Sequence, residues 1–156
     1  MKTTVFNELC VTYPDDFYIM TPEEVGKYFS SDMLRWGAKN AEKHIVIVLA
    51  KTKASFLNLI TDAKGVAAGA ESSLRKSLKD YKCVGDIESE LIGKKAECFG
   101  FEYLTDDGAV SQYCETAVVK AGRSYYIAYC FCRSEDKEQY SPMFAEFRKS
   151  AQIVNE

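Results

Sequence analysis

The stretch AECFGFEYLTDDGAVSQYCETAVVKAGRSYYIAYCFC, residues 96–132, decides the fold. Ala96 to Leu104 reads as a strand, and Asp106-Asp107-Gly108 after it is the strongest hairpin signal in the chain. Asp-Gly supplies the left-handed backbone that a tight antiparallel turn needs. Val110 to Lys120 runs back from that turn, Ala121-Gly122 makes a second one, and Arg123 to Cys132 forms a third, tyrosine-rich strand. Side chains alternate across a strand. One face of this last strand is therefore Tyr125, Ile127, Tyr129 and Phe131, and the other is Tyr126, Ala128, Cys130 and Cys132. Both are largely apolar, so both sides of the sheet are expected to be covered.

Upstream of this unit, Ile87, Ser89 and Leu91 alternate with Glu88 and Glu90 as a further strand, and Gly93-Lys94-Lys95 reads as a turn. Before it, Ala63, Val66, Ala67, Ala70, Leu74, Leu78 and Tyr81 recur every three or four residues, which predicts one long helix. Glu71 precedes Arg75 by one turn in the favourable order for an ion pair, and Arg75, Lys76, Lys79 and Lys82 are expected to sit near the negative end of the helix dipole. Met33 to Ala38 and His44 to Lys53 read as a hairpin around Asn40, the second strand being apolar enough for the middle of a sheet.

Near the start, Leu9 to Tyr13 and Phe17 to Ile19 are short strands around a Pro14-Asp15-Asp16 turn. Thr21-Pro22-Glu23-Glu24 then opens a short helix reaching about Phe29, with Thr21 as cap, Pro22 at the first position and Glu24 completing a capping box. At the other end, Tyr140, Met143, Phe144 and Phe147 mark a helix. Ser141 is its expected cap, because Pro142 is tolerated best near a helical start. Ala151 to Val154 is a last short strand. Consecutive strands set apart from helices predict an α+β fold with a largely antiparallel sheet.

With 156 residues the chain has the commonest size of one domain, so a single domain over residues 1–156 is expected. Twenty Lys and Arg against 23 Asp and Glu leave a formal charge of -3, which lacks the broad basic field of a nucleic-acid binder. The longest strongly apolar run, His44 to Ala50, falls far short of the ~20 residues needed to span a bilayer, and Met1 to Tyr13 has no apolar leader core. A cytoplasmic location is the expectation, unless a leader has been trimmed. Cys10, Cys83, Cys98, Cys114, Cys130 and Cys132 form no C-x-x-C pair and mostly lie in apolar or alternating runs, which favours reduced, buried thiols.

His44 is the only histidine, so any histidine-based catalytic or metal arrangement must be built on it alone. At the opening of a buried strand its expected role is structural. The pairs Asp15-Asp16, Glu23-Glu24 and Asp106-Asp107 are explained as turn and first-turn residues. Gly65, Gly69 and Gly85 form no phosphate loop. No catalytic, cofactor-binding or metal-ligating residue is therefore nominated, and no cofactor is expected. The unusual feature is ten tyrosines, five of them (Tyr103, Tyr113, Tyr125, Tyr126, Tyr129) in the late strands. Most are expected to be core and boundary residues, and any that reach the surface could form a recognition face for protein or small ligand.

The segment GRSYYIAYCFCRSEDKEQYSPMFAEFRKSAQIV, Gly122 to Val154, resembles the closing strand, helix and terminal strand of the PsbP-like superfamily. Gly122-Arg123, Tyr125 to Tyr129, Glu135-Asp136, Tyr140, Pro142, Phe144 and Phe147 fill its pattern. VTYPDDFYI, Val11 to Ile19, is similar to that family's opening motif. The resemblance implies a largely antiparallel sheet sandwiched between helices. It also implies a non-enzymatic protein-interaction or accessory module, like the family's photosystem subunit and Ran-binding import factor, beside bacterial members of unassigned function. These are packing motifs, and no functional residue carries over. A small-ligand-binding or hydrolytic protein with a tyrosine-lined pocket on the sheet is the alternative. A homodimer through an exposed sheet face or edge is compatible with either.

Overall fold

The computed structural model describes residues 1–53 and 62–154. Its centre is the triple-stranded unit read above: β9 (Glu97–Leu104), β10 (Ser111–Ala121) and β11 (Ser124–Arg133), each antiparallel to the next. Gly108, at the turn between β9 and β10, has a φ of 72°, the left-handed region its lack of a Cβ permits. The second hairpin also forms, β4 (Leu34–Asn40) with β5 (Ile45–Lys53). β5 then pairs along its length with β11, from Lys53 opposite Ser124 to Val46 opposite Phe131.

Two edge strands complete the main sheet. β3 (Tyr18–Ile19) lies outside β4, and β6 (Lys79–Asp86) lies outside β9, giving the seven-stranded antiparallel order β3-β4-β5-β11-β10-β9-β6. β6 is a correction to the sequence reading. The helix α2 (Ala63–Ser77) stops four residues before Tyr81, and Leu78 already has extended φ and ψ of -98° and 139°. Arg75 and Lys76 sit in its last turn as expected, and Arg75 pairs with Glu71 at 3.2 Å. Lys79 and Lys82 belong to the strand, where pairing with β9 supplies the backbone bonds that further helix would have made.

The apolar positions divide between the two faces of this sheet. On one, Tyr126, Ala128, Cys130 and Cys132 pack with Phe144 and Phe147 of α3 (Lys137–Ser150). Leu9 and Val11 of β2 (Leu9–Thr12) join them. β2 pairs with β1 (Lys2–Val5), which the sequence reading did not place, and with β12 (Gln152–Ile153), so the chain's two ends make a separate small sheet over this face. On the other face Ile127 packs with Val25 and Phe29, at and after α1 (Pro22–Val25), and with Ala67 of α2. The capping box on α1 forms as read: Glu24 N–H donates to the Thr21 hydroxyl at 3.2 Å, and Thr21 N–H to the Glu24 carboxylate at 3.0 Å. The remaining strands, β7 (Glu90–Leu91) and β8 (Lys94–Lys95), form a minimal hairpin.

α3 departs from the sequence reading at its start. A 3-10 turn over Ser134–Asp136 runs straight into it, so Pro142 lies inside the helix rather than at its opening. Its ring removes one backbone bond of the helix. Lys137 in the first turn is tied to Glu102 of β9 at 2.6 Å, which holds the segment before the proline onto the sheet. Ser141 is consequently not a cap. Its hydroxyl points into the protein and donates to Glu115 at 2.8 Å.

Candidate functional site

Two features stand out once the sheet is assembled, one closed and one open. The closed one is a polar knot under α3. Glu115 of β10 and Arg148 of α3 are 2% and 1% exposed, and their ion pair measures 2.7 Å. The Tyr113 hydroxyl and Ser141 donate to the second carboxylate oxygen at 2.7 and 2.8 Å, and Arg148 Nε donates to Ser89 at 2.8 Å. Gly100 faces Glu115 across the ladder, where an added Cβ would meet the Tyr113 hydroxyl at 3.0 Å. A buried charge pair survives only when its remaining lone pairs and protons are satisfied, and here partners from β10, α3 and the loop before Glu90 do so. It is sealed from solvent, which makes it an anchor for α3 and not a reaction site.

The thiols close to this knot are equally shielded. Burial pushes the Cys98 thiol up to about 11 and those of Cys130 and Cys132 up to about 12, against ~8.5 for a free thiol. They are therefore un-ionised and poor nucleophiles. The raised values carry a sign for stability. Between the unfolded and folded pKa values the folded chain holds protons that the unfolded chain has lost, so stability declines as pH rises. The denaturant midpoint is expected to hold up to about pH 8 and to fall between about pH 9 and 11. A midpoint that climbs over that interval in a urea series would refute the shielding.

The open feature is a cleft of about 400 Å³ on the face that carries α1 and α2, at the end of the sheet where the β4–β5 turn lies. Register brings its floor together: Lys39, Val46 and Phe131 are successive cross-strand partners on β4, β5 and β11, and Gln112 and Tyr103 are partners on β10 and β9. Tyr28, just beyond α1, forms a wall with its ring 5.1 Å from that of Phe131. The β4–β5 turn contributes Asn40, Ala41 and His44.

Several of these polar groups are already committed. Lys39 pairs with Glu24, and Asn40 donates to Asp16 at 2.9 Å while accepting from Lys43 N–H at 3.1 Å. Thr105 donates to Asp107 at 2.6 Å. Others are not: among the described residues none hydrogen-bonds the Tyr28 or Tyr103 hydroxyl, the Gln112 amide or the His44 ring. Burial first of all raises the pKa of both tyrosines, so both present neutral hydroxyls.

Of the residues singled out in the sequence, the cleft gathers Tyr103 and His44. His44 is exposed, with φ of 58° in the turn ahead of β5, and so is not the strand-opening structural residue it was read as. Tyr113, Tyr125 and Tyr126 are buried and Tyr129 is half-buried, stacked on Phe29 at 5.1 Å. The carboxylate pairs stay apart and local: Asp15 binds the N-terminal amine, Asp16 binds Lys43, Glu24 caps α1 and Asp107 closes its turn. No group of three or more His, Cys, Asp or Glu side chains converges among the described residues. Tyr28, Lys39 and Gln112 were missed, since they come from three separate segments with no motif linking them.

The layering of helices on a seven-stranded antiparallel sheet, with the ends of the chain paired beside it, is the PsbP-like fold. The chain aligns over 99% of its length with 92% of cyanobacterial PsbP (CyanoP) from Synechocystis sp. PCC 6803, at a TM-score of 0.71 and 9% identity. It is similar over 99% of its length to 95% of the Ran-binding protein Mog1p of Saccharomyces cerevisiae, with a TM-score of 0.63 and 6% identity. LpqN of Mycobacterium tuberculosis, involved in cell envelope biogenesis, matches 94% of this chain with 83% of its own, at 0.62 and 16%. No protein-family model and no curated protein sequence matches. At these identities the likeness is one of fold. No helix among the described residues is long and apolar enough to cross a membrane.

Proposed function

We propose that this chain is a non-enzymatic protein-interaction or accessory module that receives its partner at the cleft between Tyr28 and Tyr103. The observation that carries the reading is a set of polar groups with no hydrogen-bond partner among the described residues, Tyr28, Tyr103, Gln112 and His44, around an aromatic floor. Buried or half-buried tyrosines with a free polar end are favoured anchors of protein interfaces. The same fold in a Ran-binding protein supports a docking role. The Glu115–Arg148 knot is sealed and so offers a partner no contact.

Immobilised protein is expected to retain a reproducible partner from its own lysate, and the Tyr28→Ala/His44→Ala double variant to lose it. Removing a tyrosine anchor of this kind costs about 2 kcal/mol, roughly a thirty-fold loss of affinity. Equal retention by both proteins, or no reproducible partner, would count against the module. The cleft's volume also falls in the ~300–1,000 Å³ range of small-molecule sites. A ligand-binding role is therefore the second reading, and competition of the captured partner by a small metabolite fraction would favour it.

A further inference from the structure

We infer that the group recognised in the cleft is an uncharged aromatic side chain carried on a peptide amide, which names the partner chemistry of the module and rests on that reading. The charge of the walls comes first. The one lysine in the lining, Lys39, is neutralised by Glu24 and also lies 5.5 Å over the Tyr18 ring, so it offers no free cation to an anionic ligand. Asp16, the acid bonded to Asn40 of the lining, is also held by Lys43, with its carboxyl kept below the usual range chiefly by the Lys43 bond. It is not available to a cationic ligand. Among the described residues the lining holds no carboxylate and its one lysine is already paired, so a charged ligand would lose hydration with no free lysine or carboxylate of the lining to compensate.

What the walls do offer is neutral and two-sided. The phenol hydroxyls of Tyr28 and Tyr103, the carboxamide of Gln112 and the imidazole of His44 each both donate and accept. A peptide amide, with one N–H and one C=O a few ångströms apart, is the common group that uses such a mixed set from one side. The apolar side chains of the lining on this face are Val46 and Phe131, with the Tyr28 ring standing beside Phe131 at 43°. An incoming ring would extend that cluster in the tilted and offset arrangements aromatic groups prefer. Neutral sugars also stack on aromatic side chains, but their recognition leans on carboxylates, and none among the described residues lines this cleft.

The test is a titration of the isotope-labelled full chain, watched by NMR at the Gln112 side-chain amide, the His44 ring and the Ala41 backbone. The probes are N-acetyl-tryptophanamide, N-acetyl-tyrosinamide, N-acetyl-alaninamide and methyl glucoside. The aromatic amides are expected to shift all three reporters with a Kd on the order of 1 mM. The alanine amide and the sugar should leave them in place, and Gln112→Ala should weaken the aromatic amides at least five-fold on the order expected for one lost hydrogen-bonding side chain. Shifts with the sugar alone, shifts away from these residues, or silence with every probe would overturn the inference. Silence together with a captured partner that the Tyr28→Ala/His44→Ala variant loses would overturn this assignment while leaving the docking role standing. Silence together with no cleft-dependent partner would remove both.

Discussion

Replacing Arg148 by Met is expected to lower the free energy of unfolding by about 3–5 kcal/mol, the cost of leaving one member of a buried charge pair alone. The Glu115 carboxyl would stay 2% exposed, with Tyr113 and Ser141 still donating to it but no positive charge beside it. The Arg148→Met/Glu115→Leu double variant should recover most of that loss, because an apolar pair of similar volume needs no desolvated charge. Urea unfolding followed by Trp36 fluorescence measures both. A single variant within about 1 kcal/mol of the parent would mean that Glu115 is not relying on the guanidinium, and the anchor role would fail.

Phe147→Ala is expected to cost a similar amount, about 3–5 kcal/mol, for a different reason: it empties volume that nothing else fills. Phe147 is 2% exposed, and its ring stacks on Trp36 with centroids 6.2 Å apart and planes at 14°. The substitution should therefore shift the native emission of the single tryptophan to the red as well as lowering the urea midpoint. Phe147→Leu, which keeps most of the apolar volume, should lose less than half as much. Unchanged emission with an unchanged midpoint would show that α3 does not pin this corner of the core.

Local features carried most of the sheet into the sequence. Asp107-Gly108 and Gly122 locate their hairpins because turn geometry is set within four residues, and the two-residue alternation of β11 assigns its side chains to the observed faces. The end of α2 was not legible. Leu78 and Tyr81 continue the helical spacing and no glycine or proline stands between Ala70 and Tyr81, so only pairing of Lys79–Asp86 with β9 reveals the strand. Pro142 misled in the opposite direction, since a proline marks helix starts statistically but is held in the interior here by contacts of Lys137 and Ser141 with the sheet.

The site was less legible still, and the distances along the chain explain it. Glu115 and Arg148 are 33 residues apart, and neither stands in a pattern that separates a buried charge from a solvated one. The cleft draws on a residue just past a short helix, a turn and five strands. Only Tyr103 could be nominated, through the abundance of tyrosine in the late strands. His44 was assigned to the strand because its neighbours are apolar, whereas its left-handed backbone places it in the turn.

The pairing of β5 with β11 also sets a timetable. Roughly seventy residues of chain separate the paired segments, and at ~5–20 residues per second a ribosome needs several seconds to supply the second after the first. Throughout that interval Ile45–Lys53 has only β4 beside it and leaves one long apolar edge unpaired. Newborn chains are thus most vulnerable to sticking together before β11 emerges, and a holding chaperone would act on the first half of this protein.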